Sequence, residues 1–88
     1  MKEQYKTYLI KQGYAVTTPA GSPSTVYAYI KRIDEVCDWE NISWSELTNK
    51  IDSIVMKYDV GGAKEHLGNK SHKQVINALK RFADFSKQ

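Results

Sequence analysis

One cysteine, Cys37, is the whole thiol chemistry of this 88-residue chain. A single thiol excludes an internal disulfide and any cysteine-cluster metal site. It fits a reducing compartment, so a cytoplasmic protein is the expectation. Imidazole is almost as scarce, with His66 and His72 alone. His66 has Glu65 beside it, but adjacent residues on a helix do not face each other. His72 falls at the edge of an apolar arc, where partial burial is expected. Cys37 lies on an apolar helix face and reads as a small core residue. The carboxylates between residues 34 and 52 lack the spacing of a metal loop. Gly61 and Gly62 lack the rest of a phosphate-loop pattern and read as a hinge or cap. No catalytic residue, metal ligand or cofactor is therefore expected. No apolar run approaches membrane-spanning length, and the segment after Met1 lacks the apolar stretch of a secretory signal, so no membrane partner is expected.

What is present is charge, and it is segregated. The net charge is only +3. Residues 1–32 carry Lys2, Lys6, Lys11, Lys31 and Arg32 against Glu3 alone. Residues 33–52 carry Lys50 against Asp34, Glu35, Asp38, Glu40, Glu46 and Asp52. Residues 70–88 carry Lys70, Lys73, Lys80, Arg81 and Lys87 against Asp84 alone. If the two basic ends meet in the fold, they make a positive face suited to a polyanion. The alternative is a scatter of solubilising charges.

The hydrophobic pattern is helical throughout, with no convincing strand and no internal repeat, so a single all-α domain spanning residues 1–88 is expected. Tyr5, Tyr8 and Leu9 line one side of a first helix from Lys2 to about Gln12, and Gly13 is its stop. Pro19 and Gly21 break the segment that follows. Ser22 then offers an N-cap and Pro23 a first helical residue. Val26, Tyr29, Ile30, Ile33, Val36 and Cys37 keep the rhythm of a second helix ending near Asp38. Trp39 to Ile42 read as a connection. Ser43 and Glu46 form a capping box ahead of a third helix, with Trp44, Leu47, Ile51, Ile54, Val55 and Tyr58 inward. The stretch from Asp59 to Gly62 interrupts it. Ala63 to Leu67 suit one extra turn, closed by Gly68 and Asn69. Ser71 and Gln74 form another capping box at the start of the last helix. Short connections make this a compact bundle of four to five helices.

The last helix is the most informative element. Val75, Ile76, Ala78, Leu79, Phe82 and Phe85 share one arc, while Lys73, Asn77 and Lys80 share the opposite one, with Gln74 and Arg81 on its border. A helix that packs on one side and offers Lys, Asn and Arg on the other suits a DNA major groove. It also describes an ordinary solvated surface helix. Among the tyrosines, Tyr5, Tyr8, Tyr29 and Tyr58 sit at core spacing. Tyr14 and Tyr27 are the expected exposed aromatics.

The order of these phrases resembles the N-terminal, SAM-like core-binding domain of tyrosine recombinases and phage integrases. The phrases are Tyr8-Leu9-Ile10 at the end of the first helix, Ser22 to Ile30 at the entry of the second, Trp44 and Leu47 in the third, and Ala78-Leu79-Lys80-Arg81-Phe82 in the last. The resemblance covers nearly the whole chain. It implies a non-catalytic domain that, with a separate catalytic domain, clamps duplex DNA during site-specific recombination or integration, its second and last helices facing the major groove. Carried over, the DNA-binding residues are Ser24, Thr25, Tyr27 and Lys31, with Ser71, Lys73, Asn77, Lys80 and Arg81. Lys contacts would position phosphates, and Asn77 or Arg81 would read a base edge. The acidic third-helix region is expected to face away from DNA. The family's catalytic Arg, His-x-x-Arg phrase and tyrosine nucleophile have no counterpart here, so no enzyme activity is expected. Gln88 falls about where the family's linker begins, which fits either a domain of a longer protein or a small stand-alone one. The rival expectation is a helical protein-interaction module anchored by Tyr14, Tyr27, Trp39 or Trp44.

Overall fold

The computed structural model describes residues 1–16 and 25–88. The expected cap at Ser22 and Pro23, and the candidate contact Ser24, lie outside the described residues. Five helices follow in order: α1 (Lys2–Lys11), α2 (Thr25–Glu40), α3 (Trp44–Tyr58), α4 (Glu65–Gly68) and α5 (Lys70–Ser86). Among the described residues there is no strand, and none of the helices is long and apolar enough to cross a membrane. The fold is all-α.

Each helix stop has a local cause. At the end of α1, Gly13 takes a left-handed φ of 95°. Its N–H reaches the Ile10 carbonyl, and the Tyr14 N–H reaches that of Leu9. This pair satisfies carbonyls the helix would otherwise leave orphaned. Asn41 does the same for α2, with φ 55° and hydrogen bonds to the carbonyls of Asp38 and, through Ile42, Cys37. The helix therefore runs to Glu40, two residues past the expected end, and Trp39 belongs to its last turn. At the start of α3, Glu46 N–H donates to Ser43 Oγ and Ser43 N–H donates to Glu46 Oε1, both at 3.1 Å, so this capping box is present as expected.

The second expected box is absent. No side chain caps α5, and Ser71, His72 and Lys73 take left-handed backbone angles. Ser71 Oγ and Gln74 Oε1 both accept from Arg32 of α2, at 3.0 and 2.7 Å. A charged donor outcompetes an amide N–H for such oxygens. The left-handed turn also carries His72 off the apolar arc that begins at Val75. His72 is exposed rather than partly buried.

α5 packs against all four other helices. Its Val75, Ala78, Leu79 and Phe82 are fully buried among Tyr5, Leu9, Val26, Ile33, Val36, Leu47 and Tyr58. Tyr5 joins the two ends of the chain by donating its hydroxyl to the Ala78 carbonyl at 3.0 Å, and burial pushes its phenol pKa far up. Tyr5, Trp44, Phe82 and Phe85 make an aromatic cluster with ring centres 5.2–5.9 Å apart. Cys37 is buried, and burial, then the charges of Asp34 and Asp38, push its thiol up to about 11. It is a core residue, as its place on the apolar arc implies. α4 lies so close to the end of α3 that a Cβ on Gly68 would meet the Tyr58 carbonyl.

Candidate nucleic-acid interface

The candidate residues fall on three flanks rather than one patch. On α2, Thr25 is half-buried, while Tyr27 is 41 % exposed and Lys31 is also exposed. Tyr27 lies beside α1, with Lys6 Nζ 5.2 Å from its ring centre. On the same flank, Asp34 accepts from Trp44 Nε1 and from Lys2. Arg32, one residue beyond Lys31 and therefore about 100° round the helix, is the group that reaches α5. Its guanidinium meets Ser71, Gln74 and Glu35.

On α5 the polar arc has two edges and an outward strip. Gln74 and Arg81 form the edge toward α2 and Tyr14. Arg81 pairs with Asp84 at 3.1 Å and lies beside the Tyr14 phenol, which favours its charged form. Its buried Nε has no hydrogen-bond partner among the described residues. Lys80 forms the other edge, 3.4 Å from Asp59 at the end of α3. Lys87 on that edge pairs with Asp52 of α3 at 3.3 Å. The acidic third-helix region therefore borders the basic face of α5 instead of facing away from it. Between the edges, Lys73 and Asn77 are exposed and their side chains make no hydrogen bond or ion pair among the described residues, although the Asp59 carboxyl, held low by the Val60 N–H and by Lys80, also feels the Lys73 charge.

The two basic ends of the chain do meet, but largely in neutralised form. Lys2, Arg32, Lys70, Lys80, Arg81 and Lys87 each face a carboxylate. Among the described residues, Lys31 and Lys73 are the candidate cations that make no ion pair, Lys73 lying within electrostatic reach of Asp59. The other expected exposed aromatic, Tyr14, is half-buried with its ring centre 5.5 Å from that of Tyr29. Trp39 is half-buried and stacks on Tyr58, and Trp44 is half-buried against Tyr5 and Phe82. Neither tryptophan offers an exposed apolar patch.

Sequence reasoning missed Arg32 and Lys6 as organisers of these flanks. Arg32 sits on the border of the α2 apolar arc, which is the one available signal. Its partners lie 39 and 42 residues away and have no local signature. Glu40 was missed as well. It accepts from Lys57 at 2.6 Å, Lys64 at 2.8 Å and the Tyr58 hydroxyl at 2.8 Å. Burial pushes its pKa up, but these three donors outweigh that and hold it down to about 2. Among the described residues, no three His, Cys, Asp or Glu side chains converge as metal ligands. Compared with protein-family models, with curated proteins and with solved structures, the chain finds no match.

Proposed function

We propose that this chain is a non-catalytic DNA-binding module of the integrase core-binding kind, gripping duplex DNA with the outward strip of α5. The observation that carries this reading is the state of Lys73 and Asn77. Asn77 projects from a helix whose opposite face is locked into the core, Lys73 projects from the left-handed turn that leads into it, and neither side chain makes a hydrogen bond or ion pair among the described residues. An exposed helix face bearing an amide, with a cation on the turn that enters it, suits groove binding. Lys80 and Arg81 flank the strip and would exchange Asp59 and Asp84 for phosphates. Tyr27, Lys31 and Lys6 offer a second, smaller basic flank on α2 and α1.

Because so many cations already have carboxylate partners, the isolated domain should bind weakly, with Kd of about 1 μM or higher. A catalytic domain of the recombinase kind would be the natural partner to raise that affinity. The test is fluorescence anisotropy with a short duplex at about 50 and 200 mM salt. Lys73→Ala should weaken binding to all sequences alike and flatten the salt slope by about one. Asn77→Ala should weaken some sequences more than others. A folded protein that does not bind at the lower salt, or a Lys73→Ala variant that binds like the parent, removes this reading. A protein partner would then be the better reading, and its supporting observation is the exposure of Met56 and Val60.

A further inference from the structure

Arg32 gives the strongest binding edge of its guanidinium to weak partners. Its Nη1 donates to the Glu35 carboxylate at 2.7 Å, and Lys70 holds Glu35 in turn at 3.4 Å. Its Nε and Nη2, the parallel donors of the fork, face Gln74 Oε1 at 2.7 Å and Ser71 Oγ at 3.0 Å. Both acceptors are neutral. An arginine fork binds two oxygens of an anion more tightly than two neutral oxygens. The same two oxygens also have a second use. In a closed capping box, Ser71 Oγ would accept from the Gln74 N–H and Gln74 Oε1 from the Ser71 N–H. While Arg32 holds them the box stays open, and Ser71, His72 and Lys73 keep φ values of 55°, 57° and 65°. Side chains of L-residues are crowded there. An anion that takes the fork therefore frees the oxygens that the box needs.

We propose that the Nε–Nη2 edge of Arg32 is a phosphate-binding site, and that phosphate bound there closes the box between Ser71 and Gln74. The surroundings select phosphate over a carboxylate. Lys70 and Lys73 are exposed beside the fork, and Lys73 makes no ion pair among the described residues. A carboxylate fills the fork and has no oxygen left for these lysines, whereas a phosphate has. Nη1 keeps Glu35 throughout. Binding and box closure both need Arg32 to release Ser71 and Gln74, so each favours the other. In the closed state α5 begins at His72 with right-handed turns, and Lys73 then lies one turn before Asn77 on the same face. That last consequence rests on the DNA reading, because it brings Lys73 and Asn77 into one line as a backbone phosphate arrives. The site itself needs only a phosphate group, whether of a nucleic-acid backbone or of a small free phosphate.

The test is NMR of the isotope-labelled whole chain, titrated with inorganic phosphate through the millimolar range against chloride of equal ionic strength. The Arg32 Nε–H signal should shift, and the Cα and Cβ shifts of Ser71, His72 and Lys73 should move together with it toward right-handed helical values. Arg32→Lys, which loses the fork, should bind phosphate several-fold more weakly. A short duplex at low salt forms the second arm. If it drives the same shifts at lower concentration, the phosphate is that of a nucleic-acid backbone. If only inorganic phosphate drives them, the site takes a small free phosphate. Four results overturn the proposal: no shift beyond that with chloride, an Arg32 signal that moves while the turn stays left-handed, a turn already right-handed without phosphate, or an Arg32→Lys variant that binds like the parent. Neither Lys73 nor Asn77 contacts Arg32 through its side chain. Anisotropy with their alanine variants therefore judges the DNA reading separately.

Discussion

A single guanidinium decides how α5 begins. Ser43 and Glu46 follow the same Ser-x-x-acid-or-amide pattern as Ser71 and Gln74, yet only the first pair closes into a capping box. The first pair lies where nothing competes, so its outcome was legible from local sequence. The second lies within reach of Arg32, which takes both oxygens while holding Glu35 at 2.7 Å. That competition spans the fold and leaves no trace in a local pattern. The left-handed turn it accompanies is costly, at roughly 1–2 kcal/mol per L-residue. Arg32→Lys keeps the charge but loses the planar fork. The variant should lower unfolding free energy in urea by about 1–2 kcal/mol, the scale of lost charge-assisted hydrogen bonds. Backbone NMR shifts of Ser71, His72 and Lys73 should move toward right-handed helical values as the box becomes free to form. An unchanged urea midpoint and unchanged shifts would show that the fork does not hold this turn.

At the scale of elements, Glu40 fastens three pieces together. It sits in the last turn of α2 and gathers Lys57 and Tyr58 from the end of α3 and Lys64 from just before α4. In the sequence it lay in the expected connection from Trp39 to Ile42, beyond the expected helix end. Its role depends on Asn41 letting α2 run two residues further. The helices themselves were legible because periodicity and caps are local, whereas the side chains that join them were not. Glu40 is depressed to about 2 in the folded chain, below its ordinary value of about 4.3 in an unfolded one. Its contribution is therefore complete above about pH 5 and fades as pH falls toward 2. With the lysines partly open to solvent, that contribution is about 1–2 kcal/mol. Glu40→Gln should lose this amount at pH 7. It should also unfold with a shallower dependence on pH between about 5 and 2 than the parent, as a linked carboxylate requires. Parallel slopes for the two proteins would show that Glu40 gains nothing from its three donors.

At the scale of the whole molecule, the segregated charge of the sequence becomes mutual neutralisation. Acids of the middle segment reach Lys2, Arg32, Lys70 and Lys87, and Asp59 reaches Lys80. Composition alone suggested a positive face, because it cannot say which opposite charges will meet. The result is a surface whose attraction for a polyanion is partly cancelled from within. Asp84 is the clearest case, since it lies on the outward strip with Asn77 and holds Arg81. A phosphate drawn to that strip would be repelled by this carboxylate while Arg81 stayed engaged. Asp84→Asn removes the repulsion and leaves the guanidinium with the Tyr14 phenol in place of a carboxylate. Asp84 is exposed, so stability should change by no more than about 0.5 kcal/mol. Affinity for duplex DNA at about 50 mM salt should rise several-fold, and the salt slope should steepen by about one for the added phosphate contact. Anisotropy titrations at several salt concentrations measure both quantities together. An Asp84→Asn variant with unchanged affinity and slope would mean that no phosphate passes this strip. The DNA-binding face would then have to be sought on the Lys6, Tyr27 and Lys31 flank instead.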